Sequence, residues 1–314
     1  MVAGADPPAA HAAAPTPARC QVLAVGWSLD GARAIAVDRC GAVATARPAG
    51  AWEVAGPQLP QLEVAAVGGG RVAYAWFDEH LAHVAVRDVA TASEVYADAA
   101  KEPGTAFSAV APSRDGTLVA VVRATEKVRT LSVVTLAAPP QTLFTATPSE
   151  RVDGLEFSRD GALLVAFGNA SAATVWSVRD GKERGSWHLP SAEQLITQAA
   201  FGADGKALFV ARYAEPVLTF DAETLRPLAP TELVATFVAA TSSVWVYAED
   251  THPEVQLVAA LAGAAPRALG KCPDDGEVRA LALAPAGDEV AVACSDRALV
   301  LALPAKHAAP SPLP

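Results

Sequence analysis

The sequence predicts an all-β protein, namely a seven-bladed β-propeller of four-stranded antiparallel blades. Two observations predict this fold. A short turn motif, Ser-x-Asp-Gly or a near copy of it, recurs along the chain at a regular spacing. Short Val-rich segments with alternating apolar residues flank the copies, as expected for strands joined by tight turns. A helical repeat protein would instead need apolar stripes with a period of 3.6 residues.

The spacing of the turn motif sets the length of the repeat. Its four clearest copies end at glycines 31, 116, 161 and 205, which lie 85, 45 and 44 residues apart. The first interval therefore holds two repeats, and a degenerate copy is expected at Gly68–Gly70. A near-copy at Ala284–Asp288 implies another degenerate repeat around Thr241–Ser243. Residues 20–304 then divide into seven units of roughly 41 residues each.

Each unit contains sequence for four strands. In unit four we predict them at Val152–Phe157, Ala162–Phe167, Ala173–Val178 and Glu183–Trp187. The glycine of the motif supplies a residue with positive φ for a tight hairpin, and the aspartate caps the turn. Alanine accounts for 72 of the 314 residues and occurs in most predicted first strands. Small side chains are what crowding of the innermost strands around an axis requires.

Unit four, GLEFSRDGALLVAFGNASAATVWSVRDGKERGSW, resembles the WD40 repeat family. Similar segments are VAVRDVATASEV (Val84–Val95) in unit two and LTFDAETLRPL (Leu218–Leu228) in unit five. The family's Gly-His and Trp-Asp dipeptides do not occur, and Trp176-Ser177 comes nearest to the latter, so the resemblance is to a divergent, bacterial-type member. It implies that the last blade takes its outer strand from the N-terminal arm, although residues 5–15 are poor in strand-forming residues.

The composition of the two ends predicts three regions. Residues 1–19 are interpreted as a flexible Ala/Pro-rich arm, 20–304 as the propeller and 305–314 as a flexible tail. The N-terminus lacks the basic and apolar regions of a signal peptide, and no apolar stretch approaches the ~20 residues that span a bilayer. We therefore expect a cytoplasmic protein without membrane insertion. The alternative is a periplasmic or exported protein whose leader is absent.

The four cysteines do not form a motif. Cys20, Cys40, Cys272 and Cys294 include no CxxC pair, and their density is far below that of disulfide-rich scaffolds. Buried free thiols are the first interpretation. The alternative is a bridged state, Cys20–Cys272 or Cys40–Cys294, because units one and seven become neighbours when the ring closes.

Enzyme motifs are missing from the sequence. It contains no GxSxG, GxxxxGK[ST], GxGxxG or HExxH segment, so we predict no catalytic residue, cofactor or metal ligand. The charged residues of the predicted first strands are interpreted as solvated channel rims; they are Glu63, Asp153, Glu156 and Arg279. The alternative function is a hydrolase- or lactonase-like propeller enzyme with a metal at the channel mouth.

One segment does concentrate metal-ligand residue types. Asp78–His83 reads DEHLAH, and its carboxylates and imidazoles could bind a divalent ion. His80 and His83 are three residues apart, however, and would point to opposite sides of an extended strand. We therefore expect a solvated polar turn.

The charge balance indicates the class of partner. The chain has a net charge of −10 and no run of Lys or Arg, which argues against nucleic-acid binding. In a propeller, the turns between second and third strands and the connections between blades share one side, called here the connection face. We expect most of the negative charge on this face, with Asp38 among its carboxylates.

These features predict a non-enzymatic protein–protein interaction scaffold or a subunit of a larger assembly. An acidic connection face would steer and bind a protein or peptide with a basic surface. Tyr213 is the large aromatic residue that we place there, because such residues contribute strongly to interfaces. The candidate partner-binding residues are Asp78, Glu79, His80, Tyr213, Glu249, Asp250, Asp274, Asp275 and Glu277.

Overall fold

The computed structural model shows a seven-bladed β-propeller, which confirms the predicted fold. It describes residues 20–47, 50–102, 104–168, 172–189, 195–202, 204–228, 231–241, 244–251, 254–261, 266–273 and 276–303. Over these ranges the chain forms 26 strands in seven antiparallel sheets and no α-helix. No helix in this part of the chain has the length and hydropathy needed to cross a membrane.

The strands follow one another in chain order from the axis outwards. Blade one contains β1 (Val22–Trp27), β2 (Ala34–Asp38), β3 (Val43–Ala46) and β4 (Glu53–Val54). Blade two contains β5 (Val64–Gly68), β6 (Arg71–Phe77), β7 (Ala82–Asp88) and β8 (Glu94–Ala99). Blade three contains β9 (Ala106–Pro112), β10 (Leu118–Ala124), β11 (Arg129–Thr135) and β12 (Thr142–Ala146).

The second half of the ring repeats this order. Blade four contains β13 (Gly154–Phe157), β14 (Leu163–Phe167), β15 (Ala172–Ser177) and β16 (Glu183–His188). Blade five contains β17 (Ile196–Phe201), β18 (Ala207–Arg212) and β19 (Glu215–Asp221). Blade six contains β20 (Phe237–Ala240), β21 (Val244–Thr251), β22 (Glu254–Leu261) and β23 (Arg267–Lys271). Blade seven contains β24 (Val278–Leu283), β25 (Glu289–Cys294) and β26 (Ala298–Ala302).

The first strands of the blades form a closed ring around the axis. Each contacts the first strand of the next blade, and β24 of blade seven contacts β1 of blade one. At this seam the Val22 N–H donates to the Ser295 carbonyl at 3.1 Å, and the Trp27 indole N–H donates to the Ala282 carbonyl at 2.9 Å. One apolar cluster joins Val22 and Trp27 to side chains of blade seven.

The Ser-x-Asp-Gly turn is held by side-chain hydrogen bonds. In blade four the Ser158 hydroxyl donates to Asp160 at 2.7 Å and accepts from the Leu163 N–H at 2.9 Å. Asp160 also accepts from the Ala162 N–H at 3.0 Å, and Gly161 has φ of +69°. These hydrogen bonds lower the pKa of Asp160. Blades one and three repeat the arrangement with Ser28, Asp30, Ser113 and Asp115.

Two sheets have three regular strands instead of the predicted four. In blade five an irregular segment takes the outer position, where the Leu228 N–H donates to the Thr219 carbonyl at 2.9 Å and the Val217 N–H to the Leu233 carbonyl at 2.7 Å. Pro227 lies in this segment and cannot donate to a strand ladder. The arm at residues 1–19, which was expected to supply the outer strand of blade seven, lies outside the described residues, as does the tail at 305–314.

The cysteines form two disulfides, which corrects both earlier interpretations. Cys20 is bonded to Cys40 and Cys272 to Cys294, with Cα–Cα distances of 5.8 and 5.7 Å. All four cysteines lie in the described ranges and none is free. The bridges are within blades one and seven and not between them. Each joins the segment that enters a first strand to the end of the second strand of the same blade.

Polar side chains connect the inner strands of several neighbouring blades. The Ser108 hydroxyl donates to the Val152 carbonyl at 2.8 Å, between blades three and four. The Thr197 hydroxyl donates to the Thr236 carbonyl at 2.8 Å, between blades five and six. Since the free edges of these strands face the channel, the side chains satisfy backbone groups that otherwise need water.

The inner strands of blades one and two pack closely at Gly26. A Cβ atom added to Gly26 would lie 2.6 Å from Val67 Cγ1 and 2.9 Å from the Val67 carbonyl oxygen. Farther from the axis, a Cβ added to Gly185 on β16 would meet only the end of the Leu225 side chain, at 3.3 Å.

We therefore predict that Gly26→Ala lowers the free energy of unfolding by about 2 kcal/mol, because it overpacks the inner ring against backbone. Gly185→Ala is the matched control and should have a near-neutral effect, since a flexible side chain can move aside. Urea denaturation of both variants tests this. Equal effects would contradict the account of crowding at the axis.

Candidate functional site

The hairpin between β6 and β7 is a polar turn of the connection face that is held by side-chain hydrogen bonds. Asp78 accepts hydrogen bonds from the N–H groups of His80 and Leu81, both at 2.8 Å. Its second oxygen accepts from His83 Nε2 at 2.6 Å. These bonds lower the pKa of Asp78 to about 2. The turn therefore keeps a negative charge in a fixed position, with the exposed Glu79 beside it.

An aromatic stack supports this hairpin. The ring of Trp76 stacks on His83 with centroids 5.0 Å apart, and Tyr74 stacks on Trp76 at 5.4 Å. Phe77 follows on the opposite side of the strand and is 51% exposed. The hairpin thus presents the exposed Phe77 ring next to the carboxylates of Asp78 and Glu79.

The two histidines of this segment do not come together. His83 faces Asp78 and Trp76, whereas His80 is exposed at the tip of the turn. Nowhere in the described part of the chain do three or more His, Cys, Asp or Glu side chains converge as a metal site would require.

Tyr213 lies on the corresponding hairpin of blade five and is 55% exposed. Its N–H donates to the Leu195 carbonyl at 2.9 Å, and the next residue, Ala214, has φ of +54°. The Arg212 guanidinium folds back and donates to the Pro216 carbonyl at 2.6 Å. These two hydrogen bonds hold the turn in place, and the Tyr213 ring projects into solvent.

Sequence analysis missed the exposed apolar residues of two hairpins on this face. Phe77 ends β6, and Val128, which is half exposed, lies in the turn between β10 and β11. Both adjoin strand patterns in which apolar residues are ordinarily core. The available signal was an apolar residue directly beside a charged turn, as in Phe77-Asp78 and Lys127-Val128.

Of the other carboxylates predicted to bind a partner, the structure describes the side chain of one, Glu277. Glu277 is exposed and pairs with Arg279 at 2.7 Å. Glu249 and Asp250 lie in the part of β21 that extends past Ala248, the last residue paired with β20, and their side chains are outside the described part. Asp274 and Asp275 also lie outside it. The acidity of the connection face therefore stays a prediction.

Asp38 was wrongly assigned to the exposed carboxylates, because its side chain is 2% exposed. One oxygen accepts from the Ala42 N–H at 2.9 Å within a tight turn, and the other has no hydrogen-bond partner in the described structure. Burial raises the pKa of Asp38.

The central channel is a cavity of about 530 Å³ lined by the first strands of all seven blades. Its predicted charged residues are all in ion pairs. Arg114 of blade three contacts Glu156 of blade four at 3.3 Å and donates to the Phe201 carbonyl of blade five at 3.2 Å. Removal from bulk solvent raises the pKa of Glu156, and Arg114 opposes this effect. The other pairs are Arg39–Glu63, Arg151–Asp153 and Arg279–Glu277.

The chain matches no model of a known protein family, and a search of curated proteins finds none that is related.

The pKa of Asp78 generates a pH prediction. Because its folded pKa of about 2 lies below the ordinary value of 3.8, its contribution to stability is complete above pH 4 and is lost as the pH falls towards 2. Thermal unfolding of the wild type should therefore lose more stability between pH 5 and pH 2 than that of Asp78→Asn. Glu79→Gln, in the same turn, serves as control and should follow the wild type. If the stability of the wild type and of Asp78→Asn fell equally between pH 5 and pH 2, the lowered pKa of Asp78 would be refuted.

Proposed function

We propose that this protein is a non-enzymatic interaction subunit, a divergent WD40-like propeller whose connection face binds a protein or peptide with a basic surface. The observation that carries the proposal is the placement of exposed apolar side chains on ordered turns of one face. Phe77, Val128 and Tyr213 occupy the hairpins of blades two, three and five.

Each of these side chains has a carboxylate within two residues in sequence. Asp78 and Glu79 follow Phe77, Glu126 precedes Val128, and Glu215 follows Tyr213. Aromatic anchors supply affinity, while nearby charges raise association rates and select partners of opposite sign. Because the turns are held by hydrogen bonds, little conformational entropy would be lost on binding.

The WD40-like assignment is supported by the turn geometry. The Ser-x-Asp-Gly turns of blades one, three and four share one hydrogen-bond pattern, and the repeat of unit four extends over four strands. The ion-paired channel charges give no converging catalytic set among the described residues, which favours binding over catalysis.

We further propose that the protein functions in an oxidising compartment, the alternative kept open by the sequence. Two disulfides account for all four cysteines. Such bonds persist in secreted and periplasmic proteins and are rare in the cytosol.

Site-directed photo-crosslinking in the native cell tests the binding face. A photoreactive amino acid at position 213 should capture a partner with a basic surface, and the same residue at position 143 should not. Leu143 is the matched control, because it is 46% exposed but lies on the outer strand β12. For the purified partner, Phe77→Ala and Tyr213→Ala should each raise Kd about tenfold or more, as expected for interface anchors.

Two results would contradict the proposal. The first is capture of the same partner from position 143 as efficiently as from 213. The second is an unchanged Kd for both alanine variants, with Leu143→Ala as the reference.

A further inference from the structure

The two disulfides flank the seam where the ring closes. Cys20 lies two residues before Val22, and Cys294 directly precedes Ser295. The Val22 N–H donates to the Ser295 carbonyl at 3.1 Å, a hydrogen bond between backbone groups of blades one and seven. This contact therefore lies between the two covalent links.

The bridges occupy equivalent places in their blades. Cys20 precedes β1 and Cys272 precedes β24, the two first strands that meet at the seam. Cys40 follows β2 and Cys294 ends β25, so each bond ties the entry of a first strand to the end of a second strand. The separations are also alike, at 20 and 22 residues.

Their exposure to solvent differs. Cys272 and Cys294 are 1% and 0% exposed and belong to the apolar cluster between blades six and seven. Cys20 and Cys40 are partly exposed. Because thiol–disulfide exchange requires a thiolate to reach a sulfur atom, a reductant in solution has access to the bond in blade one before the bond in blade seven.

We propose that Cys20–Cys40 is a redox-sensitive latch on the closure seam. A dithiol reductant attacks one sulfur as its thiolate and forms a mixed disulfide. Its second thiol then displaces the protein thiol, so that two electrons pass to the bond and Cys20 and Cys40 are released as thiols. The reductant leaves as its own disulfide.

Opening this bond frees the segment that leads into β1. The hydrogen bond from the Arg39 N–H to the Gln21 carbonyl, at 2.8 Å, then remains as the nearest tie of that segment to blade one. The Val22–Ser295 hydrogen bond then has no disulfide next to Val22. The Cys272–Cys294 disulfide still holds the Ser295 side of this hydrogen bond in blade seven. The seam loosens locally and the other blades do not change. This inference does not depend on the proposed partner.

Stepwise reduction of the native full-length protein tests the latch. The protein is titrated with dithiothreitol without denaturant, alkylated and mapped by mass spectrometry. Cys20 and Cys40 should be labelled at reductant concentrations that leave Cys272 and Cys294 unlabelled. Under those conditions amide exchange at Val22 should accelerate roughly tenfold, while exchange in β13–β16 of blade four stays constant.

A cysteine-free blade one provides the control. Cys20→Ser/Cys40→Ser should exchange fast at Val22 without reductant and show no further response to it. The wild-type titration tests the order of reduction even where this variant fails to fold. The latch is refuted if both bonds are reduced together, if Cys272–Cys294 is reduced first, or if Val22 exchange is unchanged once Cys20 and Cys40 are labelled.

Discussion

The limited room around the central axis is the constraint on which the rest of the structure depends. Seven first strands must lie side by side, and at Gly26 and Gly68 the neighbouring blade comes so close that a Cβ atom would meet backbone oxygen at 2.9 and 2.7 Å. Between other blades, Ser108, Thr197 and Arg114 form hydrogen bonds to backbone carbonyls. The alanine-rich composition follows from this geometry, since interiors pack as densely as crystals.

Closure of the ring brings hairpins that are distant in sequence onto one surface, the connection face. Phe77 and Tyr213 are far apart in the chain, but Phe77 ends β6 and Tyr213 directly follows β18, and these two second strands run to the same side of the disc. Their hairpins are held by local contacts, the Asp78 carboxylate in one and the Arg212 guanidinium in the other. The ring therefore supplies a rigid surface, and the turns supply its chemistry. At the seam between blades one and seven, a disulfide lies in each of the two blades that meet.

The sequence was sufficient to predict the number of blades, because Gly116, Gly161 and Gly205 keep the period of the repeat. The sequence was not sufficient to predict which side chains are buried or bonded where the local path of the backbone decides it. Asp38 is buried in a tight turn, which the polar residues around it do not indicate. Phe77 is exposed although it ends an apolar strand. The cysteines were predicted to be free thiols, with bridges between blades one and seven as the alternative, and both predictions were wrong because each bond lies within one blade. The nearly equal separations of the two bonded pairs, about half a repeat, were the missed signal.

A cross-link between blades one and seven tests closure most directly. A Cβ atom at Gly31 would lie 3.6 Å from Pro285 Cβ, a distance suited to a disulfide. In Gly31→Cys/Pro285→Cys, mild oxidation of the folded protein should link these positions, as shown by peptide mapping, despite some backbone strain from φ of +70° at residue 31. An unlinked but folded and oxidised double variant would show that the first and last blades do not meet.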